Sequence, residues 1–586
     1  MFGSTGSRTG LTFRLTILIS ILSILLFTVP TRAESKEAPS KTPAPVIGID
    51  FGDSYTRVAV KINATVRVLA DGDGERSIPS YVALTEEAFL VGKAAKDYLK
   101  VQPERVIFDF SNFLGQTFEE VKEKLERKPY EIFDNVGVLT VRVPQGRVAG
   151  KTEYSIEEAL SKFFVGVKSF VETALGQEMK EVVLPVPSYF NERKRAALKN
   201  AVELAGLTVL RMPTAPVVAA MAYGFGLQTN GPIEAYHILV HDIGGQNHDV
   251  SVLELEEGVF DLLGNAHTHG EAGAAFTAAV MGLLLEQNDE EEFFHLFKNS
   301  KDFLQYDANL EQAKHDLFHQ VTDKVEIDIP GLKGTIARSD LEDEIMSNSN
   351  PGALIEKALT KANLTNEDID YVILVGGSSR ISIMREVAEG FFGTAPFFDY
   401  NVDPAEAVAV GAAIQAHILS DDGNLPLLNV EVVGSAIGVQ TIEEQGTILV
   451  ESYSIIPVSR SKIFTTVHDS QQELTIQLFE QRLADEIPER VESDDDRYER
   501  RVIGIMRLSE LPAAPRGKVK IEVTLEIDRY YNLRAQASHV ETGNIVSLTL
   551  ENGPPYGDKP GPEVLGIPEG SEVALVRDEA VKHDEL

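Results

Sequence analysis

The chain has no cysteine among its 586 residues. That excludes thiol nucleophiles, disulfide exchange and zinc–thiolate sites. A chain this long buries a core without covalent staples, so an oxidising compartment stays compatible with it. Positive charge is scarce as well: 54 Lys and Arg stand against 90 Asp and Glu, a formal net charge of -36. Phosphate backbones are bound by clustered cations, so the charge disfavours nucleic acid as a partner, and the acidity reads as solubility and mutual repulsion. No stretch beyond the first segment is apolar enough to cross a bilayer, and no membrane span is expected in the mature chain.

The two ends carry addresses. Arg8 and Arg14 flank an apolar run from Leu15 to Val29, and Thr31-Arg32-Ala33 offers a small-x-small cleavage site. Residues 1–33 therefore read as a cleavable secretory signal, with a signal anchor as the rival reading. The last residues, His583-Asp584-Glu585-Leu586, form a string read by a retrieval receptor. Together the ends predict the endoplasmic reticulum lumen. There Asn63-Ala64-Thr65 and Asn363-Leu364-Thr365 are glycosylation candidates.

Length suggests roughly three or four domain-sized units. Residues 34–45 form a polar, Pro-containing leader expected to be disordered. Across 46–420, buried strands (Ile47–Asp50, Val182–Val186, Ile238–Asp242, Tyr371–Val375) alternate with helical patterns (Ile156–Leu175, Asn191–Ala205, Pro404–Ile418), which predicts an α/β architecture. Residues 421–430 read as a linker. From 431 to 552 short alternating strands predict a β-sandwich: Thr447–Glu451, Phe464–Val467, Leu474–Phe479, Lys518–Ile527 and Ile545–Leu550. Leu483–Arg501 is a charged interruption expected to be a solvated loop. Residues 553–586, rich in Pro, Gly and acid, read as an unstructured tail.

Two strand-turn motifs share one logic. Gly48-Ile49-Asp50-Phe51-Gly52-Asp53-Ser54-Tyr55 and Asp242-Ile243-Gly244-Gly245-Gln246-Asn247-His248-Asp249 each end a buried strand in Asp, then supply glycines whose backbone approaches a ligand closely. A facing pair of such hairpins clasps a polyphosphate through backbone N–H groups, while Asp50 and Asp242 hold Mg2+ through water. Either motif alone closes many ordinary hairpins; the pair is the signal. A third segment, Val375-Gly376-Gly377-Ser378-Ser379-Arg380, follows a strand and precedes a helix. Its glycines let the backbone pack against a flat nucleoside beside a helix N-terminus.

These three segments resemble the phosphate-1, phosphate-2 and adenosine motifs shared by actins, sugar kinases and the heat shock protein 70 family. The stretches "VPSYFNERKRAALKNAVELAGLTVLR", "DYVILVGGSSRI", "DPAEAVAVGAAIQAHIL", "LPLLNV" and "LPAAPRGKVKIEVTLEID" extend the resemblance to the chaperones over nearly the whole mature chain. The resemblance implies an α/β actin-like ATPase fold, a two-lobed nucleotide-binding domain, followed by an all-β substrate-binding sandwich. It also implies ATP or ADP with Mg2+ as ligands. Nucleotide contacts would come from Gly52, Asp53, Ser54, Tyr55, Gly244, Gly245, Gln246, Asn247, Glu311, Lys314, His315, Gly376, Gly377, Ser378 and Arg380.

Several positions depart from the family pattern. The segment "FDxKRLIG" reads Phe108 to Gly115 here, with Ser111 at the place of the Lys that positions water and γ-phosphate. The Glu of "NEPTAAA" is Ala215. Asp53 replaces a Thr that faces the phosphates, Gln246 and Asn247 replace a Gly and a Thr, and the stacking Arg is His315. Ser111 and Ala215 supply neither the cation nor the carboxylate of phosphoryl transfer, and Asp53 would repel ATP unless protonated or turned to the metal. The C-terminal region shows no amphipathic helix that would form the family's lid. Extended peptide would still add as a strand in the sandwich cleft and exchange quickly. The resemblance places Ile437, Val439, Ile442, Phe464, Val467, Leu474 and Ile476 there, although the first two and Ile476 read equally well as sandwich core.

The expected function is a luminal holdase for unfolded or nascent polypeptides, binding nucleotide with weakened or absent hydrolysis. Two alternatives are a partner or exchange factor for a conventional luminal member of the family, and a conventional ATP-driven foldase; J-domain cochaperones or a conventional luminal member are the candidate protein partners.

Overall fold

A computed structural model describes residues 45–550, with gaps of which the longest are 226–234, 289–299, 394–401, 421–430 and 484–497, and Arg577–Asp578 beyond. The expected signal, most of the leader, the linker, most of the tail, the retrieval string, Asn63 and Ile442 lie outside the described residues. No helix among the described residues is long and apolar enough to cross a membrane.

The chain is mixed α/β with several sheets. The first contains β1 (Ile47–Phe51), β2 (Tyr55–Ile62), β3 (Thr65–Val68), β4 (Glu181–Val183) and β5 (Thr208–Arg211), in the order β5-β4-β1-β2-β3. β1 pairs with β2 antiparallel and with β4 parallel. The second contains β6 (Tyr236–Ile243), β7 (Asn247–Glu256), β8 (Val259–His269) and β9 (Tyr371–Val375), in the order β8-β7-β6-β9, with β6 and β9 parallel. Each sheet thus offers an antiparallel hairpin beside a parallel strand. Both hairpin turns carry one of the Asp-Gly motifs.

The helices form where the sequence caps them. α1 (Ile156–Leu175) opens on a capping box: Ser155 Oγ accepts from Glu158 N at 3.1 Å, and Glu158 Oε2 accepts from Ser155 N at 3.2 Å. It ends at Gly176 with φ of 67°. α2 (Glu192–Leu204) starts from Asn191, whose side chain caps Lys194 N. α3 (Ala215–Ala222), α4 (Gly273–Glu286), α5 (Ser300–His319), α6 (Ser382–Phe392) and α7 (Ala407–Ser420) follow.

Beyond the linker, β10 (Ala436–Val439), β11 (Thr447–Val450), β13 (Leu474–Leu483) and β14 (Tyr498–Leu508) form one sheet. β12 (Val458–Thr465), β15 (Lys520–Ile527), β16 (Leu533–His539), β17 (Ile545–Leu550) and β18 (Arg577–Asp578) form another. Strands of both contribute to one apolar cluster that includes Val439, Phe464, Leu478, Ile503, Val523 and Ala537. β15 alternates buried Ile521, Val523, Leu525 and Ile527 with outward polar residues, the period of a half-buried strand.

Several boundaries differ from the sequence reading. β4 stops at Val183, after a register shift, and Val186 makes only an isolated bridge to Thr214. α7 begins at Ala407 rather than Pro404. β12 starts at Val458, because its exposed Ser-Arg-Ser stretch hides an edge strand behind polar side chains. Within the charged interruption expected to be loop, Leu483 ends β13 and Tyr498–Arg501 open β14. The Arg500 side chain lies over the Phe479 ring at 4.8 Å and donates to Gln481 Oε1 at 2.8 Å, so a charged residue sits comfortably on a strand. In the stretch read as an unstructured tail, Arg577–Asp578 pairs with β12.

Candidate functional site

Carboxylates crowd the two hairpin ends. Asp50 faces Arg57 across β1 and β2, and Asp242 faces Asp249 across β6 and β7. Burial pushes the Asp50 carboxyl up to about 6 against the pull of Arg57. Burial, then the charge of Asp50, pushes Asp242 up to about 7. Asp249 is raised well above the usual range by burial, Asp242 and Asp53. Its Oδ1 is buried with no hydrogen-bond partner. Mutual repulsion among buried carboxylates with an orphaned oxygen is what a divalent cation neutralises. The donors are all oxygens, which suits Mg2+, and Asp50 and Asp242 are the residues that would hold it.

The phosphate side is built differently. Asn247 Nδ2 donates to Asp53 Oδ2 at 2.7 Å, joining the second hairpin to the first. Asn247 Oδ1 in turn meets His269 Nδ1 at 2.9 Å. Beside this bond, Gln246 Nε2 reaches Asp109 Oδ1 at 3.5 Å, and Asp109 also pairs with Lys128. Gly245 lies so close to Ser54 that a Cβ there would fall 2.2 Å from the Ser54 Oγ. Burial and Asp109 raise Asp53, while the Ser111 hydroxyl and N–H and the Lys194 charge draw it down. Ser111 acts through its dipoles without a well-formed bond, and Asp53 Oδ1 is left unpartnered. Asp53, Ser111 and Asn247, three departures from the family pattern, therefore act on one carboxylate. Carboxylates rather than cationic donors line this side, which suits a cation better than a phosphate without its metal.

Ala215 opens α3 beside a cavity of about 40 Å3 shared with Ser251, Asp242 and Asp249. A longer acidic side chain at this position would enter that space. Tyr189 was not singled out by sequence, yet burial and the charges of Asp249, Asp53 and Asp242 hold its hydroxyl pKa well up. Its ring stacks on His267 at 4.2 Å, and Lys194 Nζ lies 5.7 Å from the ring centroid. Burial drives His267 down to about 3 and His269 to about 4. Asp109, inside the segment Phe108 to Gly115, and Lys194, in the first turn of α2, were legible as charges but not as neighbours of Asp53. On the opposite sheet face, His241 and His248 meet Nε2 to Nε2 at 2.5 Å, both buried and held below their ordinary pKa by burial.

Some of the remaining predicted residues converge on the second hairpin. Ser378 Oγ donates to Gly244 O at 2.9 Å, and Gly273 N and Ala274 N of α4 donate to Gly244 O and Gly245 O. Lys314 Nζ donates to Gly273 O at 2.8 Å and to Glu311 Oε2 at 2.7 Å, and His315 Nε2 lies 3.1 Å from Glu311 Oε1. Burial alone would raise Glu311, but the bonds from His315, Lys314 and Thr277 hold it well below the carboxylate range. Gly376 has φ of 85°, and a Cβ there would lie 2.3 Å from Ile243 O and 2.6 Å from Asp242 Oδ1. Gly377 is open, with nothing within 4 Å of a built Cβ, and Arg380 pairs with Asp403. Tyr55 turns away from the hairpin ends, its hydroxyl taking Lys96 Nζ at 3.3 Å. Gly52 is fixed through its carbonyl, which accepts from Ser80 Oγ at 2.6 Å.

Of the peptide-contact candidates, Ile437, Val439, Phe464, Leu474 and Ile476 are all at most 2 % exposed and belong to the apolar cluster between the sheets. Val467 is partly exposed, its N–H donating to Gln471 Oε1 at 3.0 Å. Asn363 is exposed immediately after the helix Pro351–Ala362, in a left-handed conformation.

Two mixed sheets, each with an antiparallel Asp-Gly hairpin beside a parallel strand, place the chain in the mixed α/β class. A comparison with protein-family models narrows this: the Hsp70 protein family model matches residues 46–559. The chain belongs to the Hsp70 family. Members of this family bind ATP or ADP with Mg2+ and bind unfolded client polypeptides.

Proposed function

We propose that this chain is an endoplasmic reticulum luminal Hsp70-type chaperone that holds unfolded polypeptide segments and binds adenine nucleotide with little or no hydrolysis. In this reading the first two sheets are the lobes of an actin-like nucleotide domain, and the two C-terminal sheets form the client-binding sandwich. Asp50 and Asp242 hold Mg2+, Gly376–Arg380 with Glu311, Lys314 and His315 receive the nucleoside, and extended clients add to the sandwich as a strand.

The observation that carries the reading is the state of Asp53. Its carboxylate takes the Asn247 amide at 2.7 Å beside Ser111, where the family pattern has a hydroxyl and a lysine. Groups that stabilise a phosphoryl-transfer transition state act as a unit, and removing them collapses the rate. The test is calorimetric titration of the mature protein with Mg-ATP and Mg-ADP, with turnover assayed in the same samples. Binding without turnover is expected. Turnover at the rate of relatives with the intact Lys and Glu would overturn the reading. In parallel, suppression of client aggregation by the protein alone is expected; activity only after a conventional Hsp70 is added would assign it to the exchange-factor class.

A further inference from the structure

The C-terminal end of the β12 edge is covered by a dipeptide from far along the chain, Arg577–Asp578. This β18 pairs antiparallel with β12, Asp578 opposite Phe464 and Arg577 opposite Thr465, while the other side of β12 is bonded along its length to β15. An uncovered edge presents a row of free N–H and C=O groups, a template for any extended chain. Immediately before the paired dipeptide stands Val573-Ala574-Leu575-Val576, the longest apolar run after Leu550. The rest of that stretch is dominated by Pro, Gly and charge, so an apolar tetrad followed by a basic residue is out of character there. It has the composition of an extended segment recognised by strand addition, with backbone bonds for affinity and alternate side chains for pockets.

We propose that the C-terminal segment around Arg577–Asp578 is a built-in competitor for clients: it adds to β12 as a strand in cis, and an extended apolar polypeptide binds by displacing it. This rests on the reading of the C-terminal sheets as a client-binding site. Arg577 and Asp578 are the residues paired with β12, so replacing them acts on the pairing directly.

The test compares the full chain with its Arg577→Pro, Asp578→Pro double variant, since proline donates no ladder bond. The probe is a fluorescein-labelled peptide of residues Ser571–Ala580, read by anisotropy, with hydrogen exchange followed at Phe464 and Thr465. Faster exchange in the variant at the one of these two amides that faces β18, with peptide affinity raised about fivefold or more, supports the inference, because an internal competitor lowers apparent affinity by its occupancy. A Leu575→Asp variant, which keeps every backbone donor, is expected to release the edge in the same direction. Equal exchange in wild type and both variants overturns the pairing. Faster exchange with unchanged affinity overturns the competition. Faster exchange with no peptide bound by any form overturns competition through loss of the client reading itself, and leaves β18 as an edge cover.

Discussion

At the scale of single residues, Gly376 and Asn247 are the most exacting positions. Gly376 combines a left-handed φ with a backbone contact at which no side chain fits. Gly376→Ala is expected to lower stability by about 2–4 kcal/mol, with Gly377→Ala near neutral, measured by denaturant unfolding. Because the clash includes Asp242 Oδ1, Mg2+ affinity is expected to fall as well. Asn247→Ala strands Asp53 Oδ2 beside an already unpartnered Oδ1, at an expected cost of about 1–3 kcal/mol. Asp53→Asn in the same background should recover most of it, because the repulsion from Asp109 goes with the charge. The glycines were legible from sequence, since a strand, two glycines and a helix admit few geometries. The Asp53–Asn247 bond was not: each residue was recognised as a departure, but a distance between residues far apart in the chain is set by packing and has no local signature.

At the scale of elements, the β1–β2 and β6–β7 hairpins carry the pH behaviour. Asp50 and Asp242 have folded pKa values raised to about 6 and about 7 from 3.8. A raised carboxylate favours folding while protonated, so its contribution is lost as pH rises through those values, by up to about 1.4 kcal/mol per unit for each group. The depressed imidazoles of His241 and His248 act the other way, losing stability as pH falls below the free value of about 6.5. Mg2+ separates the two effects, since it binds the deprotonated carboxylates. Stabilisation by Mg2+, read as a shift in melting temperature, is expected to be large at about pH 8 and to vanish near pH 5. An equal shift at both would remove Asp50 and Asp242 as the cation's holders. Elements were readable where local signals agreed: α1 begins at its capping box and ends at its glycine, and Tyr371–Val375 is bounded by its own apolar run. They were misread where polarity masked pairing. β12 and the start of β14 carry Ser, Arg and Lys on outward faces, and only the neighbouring strand reveals them as strands.

At the scale of the whole molecule, the departures from the family pattern converge on one step, so restoration should be cooperative. Asp53→Thr alone is expected to tighten Mg-ATP by about tenfold or more, by removing a like charge. Adding Ser111→Lys and Ala215→Glu should bring measurable turnover that no single change brings, followed in single-turnover assays. The restored glutamate is expected to enter the small cavity beside Ala215, shared with Asp242 and Asp249.

The bond between Asn247 and Asp53 has a consequence for how this cleft responds to its surroundings. A phosphate that bridges two hairpins arrives from solution, so closure then follows nucleotide concentration. An amide and a carboxylate of the same chain meet at a fixed effective concentration, set by the fold and independent of the cellular supply. The resting position of the cleft becomes a unimolecular equilibrium, and nucleotide acts on it only to the extent that it outcompetes a contact that never diffuses away.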